Sequence, residues 1–320
     1  MPSAKLPMNE SGRIIFTAWL AVTLVFFALR ILPGDAIETQ LRATATSPQD
    51  IARRRAALGL DQPILIQYGR YLADLGHGDL GDSLISRESV NQMIAARLIP
   101  TFSLAITALM LAIGFGLLLG MIAVLDDLYT DHRAAPTLIA LLRGISTGIT
   151  TLALATPAYW TATLIIFAIS TRLKWLPSGG NQSMISLILP ALVLGFHTSG
   201  AIARITETSL RQTLHQPFIQ TARAKGLPPL IVFEHALRVG ILPVFNVIAL
   251  QAGFLLSGTV LIEVIFTRRG LGSLLYQAVL DQDYPVVQGL VLVSAIVYAA
   301  TRLAADLCLT LADPRLMGKR

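Results

Sequence analysis

Six long stretches of this chain contain no Asp, Glu, Lys or Arg, and they constrain its fold more than any other feature. A helix needs roughly 20 apolar residues to cross a bilayer core of about 30 Å, and backbone polar groups cannot stay unpaired in lipid. The stretches do not alternate apolar and polar residues, as membrane strands would. They predict an all-α membrane protein with about six transmembrane helices, within residues 14–29, 98–125, 144–171, 175–203, 239–262 and 284–301.

The limits of three spans need separate arguments. Basic residues precede the first apolar run, as in a signal peptide, but no small-x-small cleavage site follows, so we interpret it as a retained helix. The fourth helix should begin near Met184, because a Pro- and Gly-rich loop precedes it. The last helix extends to about Leu311 if it tolerates Arg302 and Asp306, which either pair on one helix face or snorkel from a helix end.

The distribution of Lys and Arg predicts that both termini are cytosolic. The segment between the first two spans is long enough to cross the membrane largely regardless of its charge. Without that segment, the basic residues concentrate on the side of the N-terminus. The predicted segments are residues 1–31 (N-terminal tail and first span), 32–99 (periplasmic helical subdomain), 100–311 (transmembrane core with a cytosolic loop at 204–238) and 312–320 (cytosolic tail).

Helix start and stop signals organise the periplasmic subdomain. Residues 47–50, Ser-Pro-Gln-Asp, predict the start of a helix that Gly59 ends. A second helix is predicted from Pro63 to about Leu75, with Gly76 ending it. Kinks are expected at the two prolines inside predicted spans, Pro157 and Pro190.

The sequence offers no catalytic or metal-binding pattern, so we predict neither enzymatic activity nor a cofactor bound by this chain. It has no phosphate-binding loop, nucleophile elbow or zinc-protease motif, and its five histidines are isolated from one another. A single cysteine, Cys308, excludes an intramolecular disulfide. His197 lies inside a span, where it either lines a solute path or is a hydrogen-bonded structural residue. The other candidates for lining a path are Thr156, Asn246 and Gln251.

The most informative segment is the predicted cytosolic loop. Residues 220–229 read Gln-Thr-Ala-Arg-Ala-Lys-Gly-Leu-Pro-Pro, which predicts a short helix of small residues ended by Gly226 at positive φ and redirected by two prolines. Small side chains let another surface approach the helix backbone closely. On composition alone, the alternative is a basic loop held at the lipid surface.

This loop resembles the cytosolic coupling motif of permease subunits in the dipeptide/oligopeptide/nickel ABC importer family. Thr221–Leu227 carries the similarity, and Leu242-Pro243 follows it as in the family. Any single motif is weak evidence for the family. The motifs together occur in the family's order and spacing over about 290 residues, and that combination is specific to it. The further similar motifs are Leu29–Asp35, Leu58–Pro63, Gly78–Ser83, Trp175–Gly180, Gly270–Gly272, Asp283–Pro285 and Asp313–Arg315.

The resemblance implies a bacterial inner-membrane importer and its partners. The long outer segment is similar to that of the first type of permease subunit in these heterodimers. A second permease subunit, two ATPase subunits that bind ATP and Mg²⁺, and a periplasmic solute-binding protein would complete the assembly. The residues implied to couple to the ATPase are Gln220, Thr221, Ala222, Arg223, Ala224, Lys225, Gly226 and Leu227.

The chain departs from the family pattern at several positions. Gln220 stands where relatives often carry Arg or Glu, and Glu207 where many carry Arg. Pro217-Phe218 replaces an acidic residue and Tyr, and Arg269 replaces a common Pro. Because the small-residue helix and Gly226 are kept, these changes bear on which ATPase is bound more than on coupling itself.

Other classes of protein fit the sequence less well. A secondary transporter or channel would need charged or polar residues within several spans as an ion pathway, and spans one to five lack Asp, Glu, Lys and Arg. A membrane scaffold would have no ATPase partner, and a membrane enzyme would need a catalytic constellation. Members of the family carry dipeptides, oligopeptides, glutathione, nickel chelates, peptide antibiotics or sugars on one architecture, so the resemblance does not identify the solute. The lack of metal-ligand spacing favours a peptide-like one.

Overall fold

A computed structural model of the chain describes residues 10–31, 49, 53, 56, 59–129 and 136–312. In these ranges its regular structure is helical, apart from one isolated antiparallel bridge between Asp82 and Ser89. The predicted all-α fold is therefore confirmed. The α-helices are α1 (Glu10–Ile31), α2 (Ile64–Gly76), α3 (Val90–Ile122), α4 (Leu125–Leu128), α5 (Pro136–Ala155), α6 (Ala158–Ile165), α7 (Ile188–Leu214), α8 (Pro217–Ala224), α9 (Pro229–Gly240), α10 (Leu242–Ile265), α11 (Leu271–Leu280) and α12 (Tyr284–Ala312).

Several predicted features can be compared with the observed helices. The second helix of the outer segment is present as α2, and Gly59 has the positive φ of +66° that a helix stop requires. The helix start predicted at 47–50 and the motifs at 32–35 and 313–315 lie outside the described residues, except for Gln49.

Four helices in the described ranges are long and apolar enough to cross a membrane. They are Val90–Ile122, Thr137–Ala155, Met184–Leu214 and Tyr284–Ala304. The pair α9 and α10 passes the same test as one span bent by 52°, whereas the apolar part of α1, Phe16–Ile31, is shorter. Many large apolar side chains on these helices are exposed, as on a surface that faces lipid. The total of six spans stays a prediction.

The prolines act differently from one another. Pro157 breaks the predicted third span completely, since α5 ends at Ala155, α6 begins at Ala158, and Pro157 is extended with ψ 136°. Pro190 is the third residue of α7 and lies within the apolar span Met184–Leu214, and the kink expected at it stays a prediction. A 3-10 turn, Met184–Leu187, precedes it. Pro100, which was not predicted to matter, lies within α3.

The described residues fall into two compact units, one within residues 1–99 and 270–299 and the other within 100–269 and 300–320. These units are groups of residues in contact, whereas the predicted segments refer to sides of the membrane. The predicted segments therefore stay a prediction.

In the first unit, two separate family motifs are joined by hydrogen bonds. Ser83, in the loop before α3, donates its hydroxyl to the carboxylate of Asp283, and the backbone N–H of Leu84 donates to the other carboxylate oxygen at 3.1 Å. Ser83 and Asp283 are both only 3% exposed, so each needs the other as a hydrogen-bond partner. Apolar side chains of α3, α11 and α12 form an apolar core cluster in the same unit.

The second unit is built around α7, which packs against α5, α9 and α10. Its core contains Leu104, Leu189, Val193 and Ile262. The contact between α7 and α3 is close: a Cβ added at Gly120 would lie 2.5 Å from the Cβ of Thr206. Small residues at such crossings let helix backbones approach, as is typical of membrane helix pairs.

One loop of the second unit is fixed by backbone contacts. The N–H of Gly180 donates to the carbonyl of Phe266 at 2.9 Å, and Arg268 Nη1 donates to the carbonyl of Gly180 at 3.2 Å. Glu263 is fully buried at the end of α10 and accepts the hydroxyl of Thr101 at 2.6 Å. Burial lowers the pKa of the Arg268 guanidinium, and the Glu263 carboxylate opposes that shift. The Trp175–Gly180 motif is thus held against the chain that follows α10.

Candidate coupling site

The candidate site is the coupling segment, which we define as residues 217–227, because it contains the predicted coupling motif. Its helix, α8, begins at Pro217, at the first helical position, where the missing N–H of proline costs no hydrogen bond. The helix therefore starts three residues before the predicted Gln220 and ends at Ala224. Thr221 donates its hydroxyl to the carbonyl of Pro217 at 3.0 Å, within the helix.

The end of the coupling segment is a Schellman motif. The N–H of Gly226 donates to the carbonyl of Arg223 at 2.9 Å, and the N–H of Leu227 donates to the carbonyl of Ala222 at 3.3 Å. Gly226 has φ +75°, a left-handed conformation that glycine adopts at no steric cost. Pro228, extended with ψ 150°, then caps α9. The predicted role of the glycine as a stop with positive φ is confirmed.

One face of α8 is buried against other helices of the second unit. Ile219 is fully buried and Ala222 is 9% exposed, in an apolar cluster that includes Leu210 and Val232. Arg223 adds a polar tie, since its Nη2 donates to the backbone carbonyl of Asp127 at 2.7 Å. The apolar contacts and this charged hydrogen bond together attach α8 to α4, α7 and α9.

The opposite face of α8 is exposed. Phe218, Gln220, Thr221, Ala224 and Lys225 all lie on it. The exposed face continues onto the start of α9 through Leu230 and Ile231, of which Leu230 is 73% exposed. The exposed surface therefore has Gln220, Thr221, Ala224 and Lys225 between two large apolar side chains, Phe218 on α8 and Leu230 on α9.

Glu207, a departure from the family pattern, belongs to an ion-pair cluster beside the coupling segment. Arg211 pairs with Asp127, with Glu207 at 3.2 Å, and with Asp126 at 3.8 Å, and Arg143 also pairs with Asp126. Arg211 further donates to the carbonyl of Ala123 at 2.9 Å. The acid at position 207 therefore neutralises a cation of its own chain, one helical turn away.

Because of this cluster, the predicted cytosolic loop at 204–238 is not simply a free basic surface. Of its five basic residues, Arg211 pairs with acids, Arg223 binds a backbone carbonyl, and Arg238 pairs with Glu234 at 2.6 Å. Those contacts argue against the alternative of a basic loop held only by lipid. Sequence reasoning missed Asp126 and Asp127, although their predicted place in the other short cytosolic loop was a signal for this pairing.

His197, one of the four candidate path residues, is held by two hydrogen bonds. Its Nδ1 lies 2.9 Å from the carbonyl oxygen of Ala153, and its Nε2 lies 3.0 Å from the hydroxyl of Thr161. A carbonyl oxygen only accepts, so Nδ1–H is the donor, and in the neutral ring Nε2 accepts from Thr161. Pro157 cannot donate to Ala153 as residue i+4 of a helix would, and His197 takes its place. The structural alternative for His197 is the better supported.

The other three candidate path residues are not brought together. Thr156 donates its hydroxyl to the carbonyl of Leu152 at 2.6 Å, within its own turn of chain. Asn246 is exposed and Gln251 half-buried on α10. Five residues apart on a helix corresponds to about 140° around its axis, so these two amides face different directions. In the described ranges, no group of His, Cys, Asp and Glu could hold a metal ion.

Comparison with known proteins identifies the family. Residues 138–318 match the model of the binding-protein-dependent transport system inner membrane component, which is more than half of the chain. The chain belongs to this family. It is accordingly a multi-pass permease component of a transport system of the inner membrane, as the resemblance implied.

Relatives of this permease extend over nearly its whole length. It is 36% identical to a putative peptide transport system permease of Brucella abortus, over 97% of this chain and 98% of that protein. It is 34% identical to a di/tripeptide transport system permease of Pseudomonas aeruginosa, over 96% and 97%. It is 35% identical to a glutathione transport system permease of Salmonella paratyphi A, over 96% of each.

The permease also shares its fold with a solved structure. An inward-facing structure of a methionine ABC transporter matches with a TM-score of 0.55 and 18% identity, covering 69% of this chain and 97% of that one. At this identity the similarity concerns the fold.

Proposed function

We propose that this permease forms one half of the path of an ATP-driven importer for a peptide or peptide-like solute. Three relatives named for peptides, di/tripeptides and glutathione support this class of solute. In this proposal a periplasmic binding protein delivers the solute, and a second permease subunit completes the path. Both termini are cytosolic. Two separate ATPase subunits bind and hydrolyse ATP with Mg²⁺, and this chain binds no cofactor.

The coupling segment is the proposed docking surface for an ATPase subunit. The observation that carries this proposal is the division of α8 into a buried face, fixed by Ile219, Ala222 and Arg223, and an exposed face around Thr221. The exposed face of α8 is fixed to the helices that support it. A displacement of this face would therefore move those helices with it, as one rigid body. Movement of a docked ATPase would then be passed to α7 and α9 rather than absorbed in a loop.

The free energy for the transition comes from the partner. A conformational change needs a differential interaction with its two states, and the ATPase pair supplies it by binding ATP in one of them. Alternating access follows as a rearrangement of rigid parts around a central path. Thr156, Asn246 and Gln251 remain candidates for lining that path.

Replacing Thr221 by tryptophan is expected to weaken association with the ATPase at least tenfold. The indole would project from the exposed face of α8 into the space that the ATPase groove needs. The matched control is Thr208→Trp, because Thr208 is also an exposed helical threonine whose hydroxyl binds the carbonyl four residues before it. Co-purification of the ATPase from membranes measures both. Equal recovery with the two variants would place the docking surface elsewhere.

The composition of the assembly is tested by purifying the tagged chain in mild detergent with its genomic neighbours expressed. Recovery of a second permease and ATPase subunits supports the importer. A chain that purifies alone or only with copies of itself contradicts it, and points to a secondary transporter or a scaffold.

A further inference from the structure

Arg211, on α7, links two parts of the second unit that are distant in sequence. Its Nη1 donates to the carboxylate of Asp127 on α4, and its Nη2 donates to the carbonyl of Ala123 at 2.9 Å and to Glu207 on its own helix at 3.2 Å. These acceptors use N–H groups of both terminal nitrogens, which a guanidinium holds in a fixed planar fork. Arg211 therefore fastens α4 to α7 by more than one bond.

The coupling segment is joined to the same short helix. Arg223 donates its Nη2 to the backbone carbonyl of Asp127 at 2.7 Å, so Asp127 is held through its carboxylate by α7 and through its carbonyl by α8. Val124 and Leu128 are buried in the apolar cluster that also contains Ile219 of α8. The helix α4 thus belongs to the body that carries the exposed face of α8.

The helix α4 is also tied to two long apolar helices. It follows closely after the end of α3, and its Asp126 pairs with Arg143 of α5. Ser146 of α5, which is only 1% exposed, donates its hydroxyl to the carbonyl of Leu119 in α3 at 2.6 Å. The end of α3, α4 and the first half of α5 are therefore linked to one another, and Arg211 connects them to α7.

Burial distinguishes these groups from ordinary surface ion pairs. The side chains of Arg211 and Asp127 are 29% and 18% exposed, whereas those of Arg238 and Glu234 on α9 are 77% and 58% exposed. Exposed pairs are screened by water and contribute little. A partly buried guanidinium that binds several acceptors fixes the orientation of its partners as well as their distance.

We propose that Arg211 is a positioning residue for coupling, which makes α4 and the adjoining parts of α3 and α5 move together with the coupling segment. This inference rests on the proposed docking of an ATPase subunit on the exposed face of α8. Without Arg211, the hold on α4 in the described part of the chain would be reduced to apolar packing and the bond from Arg223. With it, one docking surface displaces α3 and α5 as well as α7 and α9.

The test measures the distance between spin labels on α5 and α9 by double electron–electron resonance in the complete importer, with its ATPase subunits. Labels are attached through Thr137→Cys on α5 and His235→Cys on α9, which are exposed positions, after Cys308→Ser removes the single native cysteine. The distance is compared between the nucleotide-free state and the state trapped with ATP and vanadate. With Arg211 present, we expect the same single distance in both states.

Arg211→Met is the decisive variant, because methionine keeps an unbranched side chain and removes every donor. A second distance is expected in the ATP-trapped state and not in the nucleotide-free state, whereas a merely structural defect would alter both states alike. Asp127→Ala should give the same result, although it leaves the carbonyl that binds Arg223. Arg211→Lys should restore the single distance, since the three donors of an ammonium group match the three acceptors.

Arg238→Met is the matched control, because it removes an ion pair of 2.6 Å within one helix and should leave the single distance unchanged in both states. The inference is overturned if Arg211→Met and Asp127→Ala behave like this control, or if the importer with Arg211 already shows two distances. Recovery of the ATPase is measured in the same preparations. Its absence from the unmodified permease contradicts the proposed function itself. Its loss with only the two variants would place these residues in docking rather than in the link, which also overturns the inference.

Discussion

Replacing Gly226 by proline is expected to reduce ATP-driven uptake to the level of cells that lack the importer, with the chain still present in the membrane. Proline fixes φ near −65° and has no N–H, whereas Gly226 has φ +75° and donates to Arg223. The Schellman motif would be lost at a cost of about 3 kcal/mol or more. The substitution would change the direction in which the chain leaves α8. The exposed face of α8 would then no longer be held rigidly to α9 when it contacts the ATPase.

Gly226→Asn is the control that separates conformation from the loss of a glycine. A Cβ at this position would meet nothing within 4 Å, and asparagine enters the left-handed region more readily than other residues, at about 1 kcal/mol. Uptake of a labelled peptide and ATP hydrolysis by the assembled complex should stay within about a factor of three of the unmodified permease. Normal uptake by the proline variant would refute the coupling role of this turn.

Gly179→Ala is expected to destabilise the folded chain strongly. A Cβ at this position would lie 1.8 Å from the carbonyl oxygen of Phe266, a backbone atom that cannot turn aside. The same oxygen accepts the N–H of Gly180, so moving it also breaks that hydrogen bond. We expect a cost of about 3 kcal/mol, or an apparent melting temperature lower by about 6–12 °C in detergent.

The control for this variant is Gly148→Ala, which makes the same change in open space within α5. Alanine is favoured over glycine inside a helix by about 0.5–1 kcal/mol, so its melting temperature should equal or exceed that of the unmodified chain. If the two variants melted together, the close contact between Gly179 and Phe266 would not be a feature of the folded protein.

Local signals in the sequence predicted a large part of the fold and of the coupling segment. Gly226 followed by two prolines indicated a turn at positive φ, and Gly76 indicated the end of α2. Such signals act over a few residues, and the conformation they require is the same in most contexts. The small-residue pattern from Gln220 indicated the helix, and Pro217 marks its first turn three residues earlier.

Contacts between distant residues could not be predicted in the same way. The hydrogen bond from Ser83 to Asp283 joins residues 200 positions apart, and each motif alone gave no indication of the other. Glu207 looked like a charge reversal until Asp126 and Asp127 were found beside Arg211.

The hydrogen bond from His197 to Ala153 has a consequence for how this family can vary. An amide N–H at position 157 and an imidazole at position 197 are interchangeable donors to one carbonyl, and only one of them is required. A lineage that exchanges Pro157 for another residue regains the amide and is then free to lose the histidine. The reverse order would leave the carbonyl of Ala153, a residue that is only 3% exposed, without this donor, so the two substitutions have a permitted order. Histidine at position 197 should therefore be kept wherever position 157 is proline, although Pro157 lies just before α6 and His197 lies on α7.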